Sequence, residues 1–378
     1  MPIKLKWPWF GVAIPCFLIS FISYGGHYFI LNNVLSIKKQ IWFQFSTSMV
    51  WISYYLAIYT DPGTPTPKFK PLQYQWKNFC KKCNNYKPER SHHCRTCKTC
   101  VLMMDHHCPW TMNCVGYNNF PEFMRFLFWI ILTSSFLLYH LLQRIFFIWA
   151  NRDLPSYMFQ LSEIILLTVL APLDAFMLLT IALLFIRCTF NQIISGKTQI
   201  ESWEMERLES LFYSKRLLPQ LIKNLWEIFP NTKSEENKSA AEKLLSKRVG
   251  YESIVSFPYD INIFQNCQNS LGSPLQWLWI FGGPSGDGMT FEKNELSIFE
   301  PDLEIEDLLV ALPWPPDGGR HASINDTDSE STVELLSKDG EQVVRKRSFN
   351  NVRLQSREEW YNNWGENLED FGVDVDVE

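Results

Sequence analysis

The residues able to do chemistry in this 378-residue chain are concentrated in one short stretch. Seven of its ten cysteines fall between Cys80 and Cys114, whereas Cys16, Cys188 and Cys267 are scattered along the chain. In a reducing compartment, clustered cysteines are typical of metal sites or of thiol catalysis rather than of disulfides. The stretch therefore predicts a metal centre, a reactive thiol, or both.

The spacing within this stretch suits tetrahedral zinc. Each of the two C-x-x-C pairs, Cys80/Cys83 and Cys94/Cys97, can direct two sulfurs at one ion. Two four-coordinate sites need eight ligands, so three of the eleven candidates are left over. A cysteine left over beside histidine and carboxylate is favoured as a thiolate, although spacing alone does not say which cysteine that is. The candidates are Cys80, Cys83, Cys94, Cys97, Cys100, Cys108, Cys114, His92, His93, His106 and His107.

Four apolar stretches surround this cluster and predict membrane-spanning helices. They cover residues 9–31, 40–60, 126–142 and 164–186, and only the last contains an acidic residue, Asp174. With a rise of 1.5 Å per residue, each stretch reaches about 25–35 Å, which is enough to cross the hydrocarbon core of a bilayer. Because a carboxylate facing lipid is costly, we expect Asp174 to face the interior of the helix bundle or a water-filled cavity.

Basic residues predict how these helices are oriented in the membrane. The connection of residues 61–125 holds ten Lys and Arg residues, whereas the connection of residues 143–163 holds only Arg144 and Arg152. Cytosolic connections carry the excess of Lys and Arg, so we expect the cysteine-rich stretch to be cytosolic. With four spans, both termini then lie in the cytosol as well.

The charge is unevenly divided along the chain. Residues 1–300 carry 28 basic and 21 acidic groups, a net of +7, and residues 301–378 carry 7 and 19, a net of −12. The total of −5 argues against a nucleic-acid partner, because phosphate binding needs a basic surplus.

Together, the apolar stretches and the cysteine cluster predict an all-α polytopic membrane protein with a small two-zinc cytosolic domain. Its expected regions are residues 1–60 (two spans and a lumenal loop), 61–125 (cysteine-rich catalytic domain), 126–186 (two spans), 187–300 (cytosolic amphipathic region) and 301–378 (acidic, largely disordered tail).

Residues 80–120 closely resemble the cysteine-rich domain of the DHHC protein S-acyltransferases. Weaker likenesses to motifs of that family lie outside this range, at Asp61-Pro62-Gly63, Tyr259-Asp260 and Asn266. The segment Thr198-Gln199-Ile200-Glu201 resembles the family's TTxE motif, with glutamine at the second threonine position. The overall pattern looks most like a fungal member located in the endoplasmic reticulum membrane, with the Golgi as the alternative. The matching residues are Cys80-x2-Cys83, Lys87-Pro88-x-Arg90, His93-Cys94-x2-Cys97-x2-Cys100, Asp105-His106-His107-Cys108-Pro109-Trp110, Asn113-Cys114-Val115-Gly116 and Asn118.

The resemblance implies a protein S-palmitoyltransferase with two structural zinc ions. Cys108 is expected to take the acyl group of palmitoyl-CoA and to pass it to cytosolic cysteines of membrane-associated proteins. His106 is then the base, and Asp105 holds its imidazole. The implied zinc ligands are Cys80, Cys83, His93 and Cys100 in one site and Cys94, Cys97, His107 and Cys114 in the other.

Two other functions agree with part of the pattern. A non-catalytic zinc-binding membrane scaffold is the main alternative, although a degenerate relative is expected to lose Asp105, His106 or Cys108, and all three are present. A zinc-finger nucleic-acid binder suits the basic connection, but four spans and the lack of a recognition-helix pattern argue against it. An acyl intermediate on Cys108 separates the enzyme from both alternatives.

Overall fold

The computed structural model describes residues 9–155, 159–277, 282–284, 286–300, 302–319 and 357–375. Among these residues, helices predominate and the strands are confined to the cysteine-rich domain. The helices are α1 (Phe10–Val34), α2 (Ile37–Tyr59), α3 (Phe120–Ala150), α4 (Leu161–Ile194), α5 (Gln199–Tyr213), α6 (Leu217–Ile228), α7 (Glu235–Ser246), α8 (Ile263–Leu271), α9 (Pro274–Trp277) and α10 (Ile305–Val310). The strands are β1 (Phe79–Cys80), β2 (Asn85–Tyr86), β3 (His92–Cys94), β4 (Thr99–Val101), β5 (His106–Cys108) and β6 (Asn113–Val115).

Within the described residues, three helices are long and apolar enough to cross a membrane: α1, α3 and α4. The helices α3 and α4 are longer than the apolar stretches that predicted them, because helical structure continues into polar residues at their ends. The second predicted span corresponds to α2, which is 23 residues long but less apolar. Polar side chains such as Gln44, Thr47 and Ser53 interrupt its apolar sequence.

Although less apolar, α2 runs between the same two ends of the bundle as the other long helices. It follows α1 after a two-residue link and ends beside the cysteine-rich domain, where the Tyr54 hydroxyl donates to the Trp110 carbonyl at 2.7 Å. The start of α1 lies at the same end, because a Cβ on Gly11 would stand only 2.1 Å from the Pro109 carbonyl oxygen. The four long helices therefore alternate in direction, with the cysteine-rich domain at one end of the bundle.

Side chains from all four long helices form the core of the bundle. Ile30, Phe43, Leu137 and Leu170 come one from each helix, and all are almost fully buried. Because lipid tails are as apolar as these side chains, the core stabilises the bundle through close packing rather than through removal from water. Asp174 is also completely buried within the bundle. This agrees with the expectation from the sequence, because a carboxylate that faces lipid is energetically costly.

The cysteine-rich domain is built from three two-stranded antiparallel hairpins: β1–β2, β3–β4 and β5–β6. Cross-strand partners in two of these hairpins are one histidine and one cysteine, His93 with Cys100 and His107 with Cys114. The all-α expectation therefore does not hold for this domain. Isolated two-stranded hairpins are marginally stable, so the domain depends on cross-links between them.

The region after the bundle folds around a second core, which α6 enters with one face. Leu217, Leu221 and Leu225 of α6 are buried there, and α10 adds Leu308. Residues 302–319 and 357–375 of the acidic tail also pack against the molecule, so for these two stretches the expectation of disorder does not hold. Their apolar side chains find distant partners, which local composition does not reveal. Residues 320–356 of the tail lie outside the described residues.

Candidate active site

The Asp105 carboxylate is held by three hydrogen-bond donors at the start of β5. Its Oδ2 accepts from His106 Nδ1 at 2.8 Å. Its Oδ1 accepts from the Gln192 side-chain amide and from the backbone N–H of Gln199, both at 2.8 Å. The side chain is almost completely buried. A carboxylate fixed in this way fixes the imidazole in turn, with the proton on Nδ1 and Nε2 left for another partner.

Cys108 is a neighbour of His106 and interacts with it through a hydrogen bond and through charge. Burial opposes the charged form of Cys108, but the hydrogen bond and charge of His106 outweigh it and lower the pKa of the thiol. Burial likewise opposes the imidazolium, yet Asp105 and Cys108 together raise the pKa of His106 to about 10. The pair thus favours a thiolate beside an imidazolium, which is the reactive form of a cysteine nucleophile.

The contact from Gln199 depends on how α5 begins. Thr198 caps the helix through a reciprocal box: its hydroxyl accepts from the Glu201 N–H at 3.2 Å, and Glu201 Oε2 accepts from the Thr198 N–H at 2.8 Å. The N–H of Gln199 points out of the first turn towards Asp105. Because the backbone makes this contact, glutamine in place of the second threonine of the TTxE motif does not remove it.

Arg90 joins the cysteine-rich domain to α5 through a buried ion pair. Its guanidinium binds both carboxylate oxygens of Glu201 at 2.6 Å. The same group lies over the rings of Tyr259 and Phe291, at 4.6 and 4.9 Å from their centroids. Its bidentate geometry fixes the angle between the two elements.

The Tyr259–Asn266 segment holds the connection between α4 and α5. Asn266 Nδ2 donates to the carbonyl of Ile194, the last residue of α4, at 2.9 Å and to Asp260 Oδ1 at 2.8 Å. Gly196 adopts a φ of +64°, and a Cβ there would lie 2.8 Å from the Tyr259 carbonyl oxygen. The motif residues outside the cysteine-rich domain therefore position the backbone that meets Asp105.

Four ligand atoms converge in the first cysteine–histidine cluster. The Sγ atoms of Cys80, Cys83 and Cys100 lie 3.4, 3.2 and 3.7 Å from His93 Nδ1. All four ligand atoms lie within 4.8 Å of one another. Zinc–sulfur and zinc–nitrogen bonds of about 2.3 and 2.1 Å in a tetrahedron place nitrogen and sulfur about 3.6 Å apart. The cluster therefore fits one zinc ion.

The second cluster has the same composition and the same dimensions. The Sγ atoms of Cys94, Cys97 and Cys114 lie 3.7, 3.4 and 3.5 Å from His107 Nδ1. The sulfurs of Cys97 and Cys114 are 3.5 Å apart. Adjacent in sequence, His106 and His107 thus point to different places, one to the acid–thiol pair and the other to a metal site. The eight residues that converge are those that the family resemblance implies.

The two clusters repeat at an interval of 14 residues, and Cys108 lies where a third would begin. Each ligand of the second cluster stands 14 positions after one ligand of the first. A further shift of 14 positions leads from Cys94 to Cys108 and from Cys97 to Thr111. Because threonine offers no thiolate, a third set of ligands is not complete. The interval is visible in the sequence and identifies Cys108 as the unligated thiol, a signal that counting candidate ligands misses.

A hydrogen-bonded turn follows Cys108, as it follows the first cysteine of each metal cluster, but its acceptor differs. In the two clusters, the backbone N–H of Cys83 donates to Cys80 Sγ at 3.4 Å, and that of Cys97 donates to Cys94 Sγ at 3.3 Å. After Cys108, the backbone N–H of Thr111 donates to the Cys108 carbonyl at 3.3 Å. Hydrogen bonding by Thr111 also helps to lower the pKa of the Cys108 thiol.

Comparison with known proteins agrees with this site. Residues 73–206 match the family described as DHHC palmitoyltransferase. The whole chain is 57% identical to a protein named Palmitoyltransferase PFA4 from Saccharomyces cerevisiae, over 379 residues and 100% of both chains. It is 56% identical to proteins of the same name from Eremothecium gossypii and Candida glabrata, again over 100% of each chain.

Proposed function

Since the chain belongs to the DHHC palmitoyltransferase family and is a protein S-acyltransferase, we propose that Cys108 is the residue that carries the acyl group. One observation supports this assignment above the others. Of the seven clustered cysteines, Cys108 alone stands outside both four-ligand groups, and it lies beside His106, whose imidazole Asp105 holds.

The proposed reaction has two steps. The Cys108 thiolate attacks the thioester carbonyl of palmitoyl-CoA, the carbon–sulfur bond to CoA breaks, and the departing CoA thiolate takes the proton from His106. An acceptor cysteine then gives its proton to His106 and attacks the acyl-Cys108 thioester. The acyl group leaves on the acceptor, and the Cys108 thiolate is restored. Asp105 keeps the imidazole oriented in both steps.

The two zinc ions have a structural role in this proposal. When bound, each cross-links hairpins that have no core of their own, so that the free energy of metal binding becomes free energy of folding. His107, a ligand of the second cluster, is the neighbour of His106 in β5. A zinc ion bound there would therefore hold β5, which carries the proposed base and nucleophile, in place. Neither ion takes part in the transfer.

We propose that all four long helices cross the membrane, including α2. The support for α2 as a span is geometric, because α2 runs antiparallel to α1 and α3 between the same two ends of the bundle. The cysteine-rich domain, both termini and residues 187–300 then share the cytosolic side. A palmitoyl chain between the helices places its thioester at this end, and burial at about 0.8 kcal/mol per methylene provides several kcal/mol of binding.

The remaining partners follow from this arrangement. The phosphates of CoA need cations, which the basic connection of residues 61–125 supplies collectively. Acceptors are cytosolic cysteines of proteins that are already at the membrane.

We propose that the protein lies in the endoplasmic reticulum membrane, with the Golgi as the alternative. The support is the likeness of its sequence pattern to fungal members located there. Imaging a tagged chain beside markers of both compartments tests this proposal.

The central test labels the purified full-length protein with a radioactive or clickable palmitoyl-CoA. Wild type is expected to form a hydroxylamine-sensitive adduct and to transfer it to an acceptor thiol. Cys108→Ser is expected to form none while it retains two zinc ions per chain, measured by elemental analysis. Cys97→Ser is the matched control and is expected to lose one zinc ion together with activity.

Two results contradict the assignment. Loss of one zinc ion from Cys108→Ser would make Cys108 a metal ligand. Undiminished labelling of Cys108→Ser would place the acyl group on another cysteine.

A further inference from the structure

The end of the chain crosses both metal clusters. Residues 366–375, here called the clasp segment, run alongside β3 and β5 and bond to their backbones. The Phe371 carbonyl accepts from the His107 N–H at 2.8 Å, and the Asp374 N–H donates to the His93 carbonyl at 2.8 Å. His93 and His107 belong one to each metal cluster. A single short segment therefore contacts both histidine ligands through their main chains.

The clasp segment lies on the edge of β5 that does not pair with β6. One edge of β5 pairs with β6, and on the other edge the His107 N–H donates to the Phe371 carbonyl. A two-stranded hairpin is marginal by itself, so a contact on its second edge helps to fix its backbone. The residues of β5 are His106, His107 and Cys108. The clasp segment thus acts on the strand that carries the base and the thiol.

Apolar side chains anchor the clasp segment. Leu368 and Val373 are completely buried, and they pack in one cluster with Cys94, Ile200 and Trp203. The indole N–H of Trp203 donates to the carbonyl of a clasp residue, Glu366, at 3.0 Å. The segment is therefore joined to α5 as well as to the cysteine-rich domain.

Ion pairs join the clasp segment to the membrane bundle and to the hairpins β1–β2 and β3–β4. Arg187, near the end of α4, binds both carboxylate oxygens of Glu366 at 2.9 and 2.7 Å. Arg95 binds Glu369 at 2.9 Å. Lys82 also pairs with Asp374. The acidic residues at the end of the chain thus have specific basic partners, although the sequence presents them as a uniformly acidic tail.

The closest approach of the clasp segment to β5 is at Gly372. This residue has a φ of +83°, and a Cβ there would stand 2.5 Å from the Cβ of His107. Gly365, just before the segment, has a similar φ of +73°, but a Cβ there would meet no atom within 4 Å. Both glycines have a left-handed backbone conformation, but only Gly372 lies against β5.

From these contacts we propose that the clasp segment is a positioning element of the acyl-transfer site, which holds β5 so that His106 and Cys108 stay aligned. The proposal rests on the proposed role of Cys108. It assigns to the end of the chain a part in the reaction, separate from any recruitment of substrates. A misplacement of the catalytic strand by a fraction of an ångström is enough to slow a reaction that depends on aligned groups.

The test compares Gly372→Ala with Gly365→Ala in the full-length protein. Both variants carry the left-handed backbone cost, and only Gly372→Ala forces β5 to move. We expect Gly372→Ala to lower the kcat of Cys108 acylation about tenfold or more, with the KM for palmitoyl-CoA and the content of two zinc ions unchanged. Gly365→Ala is expected to stay within about twofold of wild type.

A second experiment uses the ion pair to the bundle. We expect Arg187→Glu and Glu366→Arg each to slow acylation, and the double exchange to restore much of the lost rate, because the pair is re-formed with reversed charges. Restoration of the rate at constant zinc content would show that the ion pair supports acylation without acting through the metal sites.

Three results overturn the proposal. Equal rates for Gly372→Ala and Gly365→Ala would show that the approach to His107 does not matter for the reaction. Loss of zinc from Gly372→Ala in proportion to activity would make the clasp segment a support of the metal site only. Absence of any acylation in wild type would overturn the proposed function itself, and so it is distinguishable from the first two.

Discussion

Cys108 differs from Cys80 and Cys94, the first cysteines of the two metal clusters, in the residue that lies three positions further along the chain. After Cys80 and Cys94 this residue is a second cysteine ligand of the same cluster, whereas after Cys108 it is Thr111. The sulfur of Cys108 has His106 as its charged neighbour. In the proposed function, the thiol at this position of the 14-residue interval is therefore left free to react.

The pH dependence of Cys108 follows from its neighbours. Its pKa is lowered, so the thiolate persists as the pH falls through the ordinary range of cysteine, near 8.5, and is lost only below the shifted pKa. In His106→Gln, burial acts without the imidazolium, so the pKa of Cys108 rises and the thiolate is lost at a higher pH. We expect its alkylation by iodoacetamide at pH 7 to slow about tenfold or more.

The measurement is the rate of alkylation of Cys108 across pH, with Cys108→Ser as the blank for the remaining cysteines. Superimposable pH profiles of wild type and His106→Gln would contradict the role of the imidazole.

At the scale of elements, the start of α5 connects the cysteine-rich domain to the region after the membrane bundle. Glu201 completes the helix cap of Thr198 and receives the guanidinium of Arg90, and both charged side chains are about 3% exposed. Removing one member of a buried ion pair leaves the other charge without compensation. The orientation of α5, and with it the Gln199 contact to Asp105, depends on this pair.

We expect Glu201→Gln to lower the free energy of unfolding of the cytosolic part by about 3 kcal/mol. Glutamine preserves the capping box, so the loss measures the ion pair with Arg90. The readout is the midpoint of thermal inactivation of Cys108 acylation. Glu235→Gln is the control, because Glu235 is exposed and pairs only with Lys238 on the surface of α7. Equal midpoints for the two variants would show that the Arg90 pair does not hold α5.

At the scale of the whole molecule, the bundle places its two ends far apart, and the acyl-transfer site lies at one of them. The four long helices alternate in direction, so the link between α1 and α2 and the link between α3 and α4 share the far end. In the proposed four-span topology, the bilayer lies between these links and Cys108, and Cys108 stands at the cytosolic face of the membrane.

The four-span topology is tested with glycosylation sites. We expect a sequon inserted within residues 151–155, at the far end, to be glycosylated in vivo. The natural sequon Asn237-Lys238-Ser239 in α7 is expected to remain unmodified, because the proposed topology places it on the cytosolic side. Endoglycosidase-sensitive mobility on gels is the readout. Modification of Asn237, or none at the inserted site, would exclude a bundle in which all four helices cross.

Much of this molecule could be predicted from local patterns. Long apolar stretches predicted the positions of the long helices, because a span needs nothing more than length and apolarity. The short interval between cysteines and histidines predicted metal clusters, and likeness to the family implied which residues form each one. These features depend on neighbours within about a dozen residues. The strands escaped prediction because they are only two or three residues long.

The sequence by itself determined where the helices run and which residues are available to bind metal, because both depend on side-chain type at short separation. Likeness to the family implied which triad is available for chemistry. Only the tertiary structure decided how Asp105 is held and what lies against β5. The Gln192 and Gln199 contacts to Asp105 bridge 87 and 94 positions, and the Lys82 contact to the clasp segment bridges 292. Two such contacts use backbone groups: the Gln199 N–H that donates to Asp105 and the Phe371 carbonyl that accepts from the His107 N–H. Every residue has a backbone carbonyl and nearly every residue a backbone N–H, so no sequence pattern identifies such contacts.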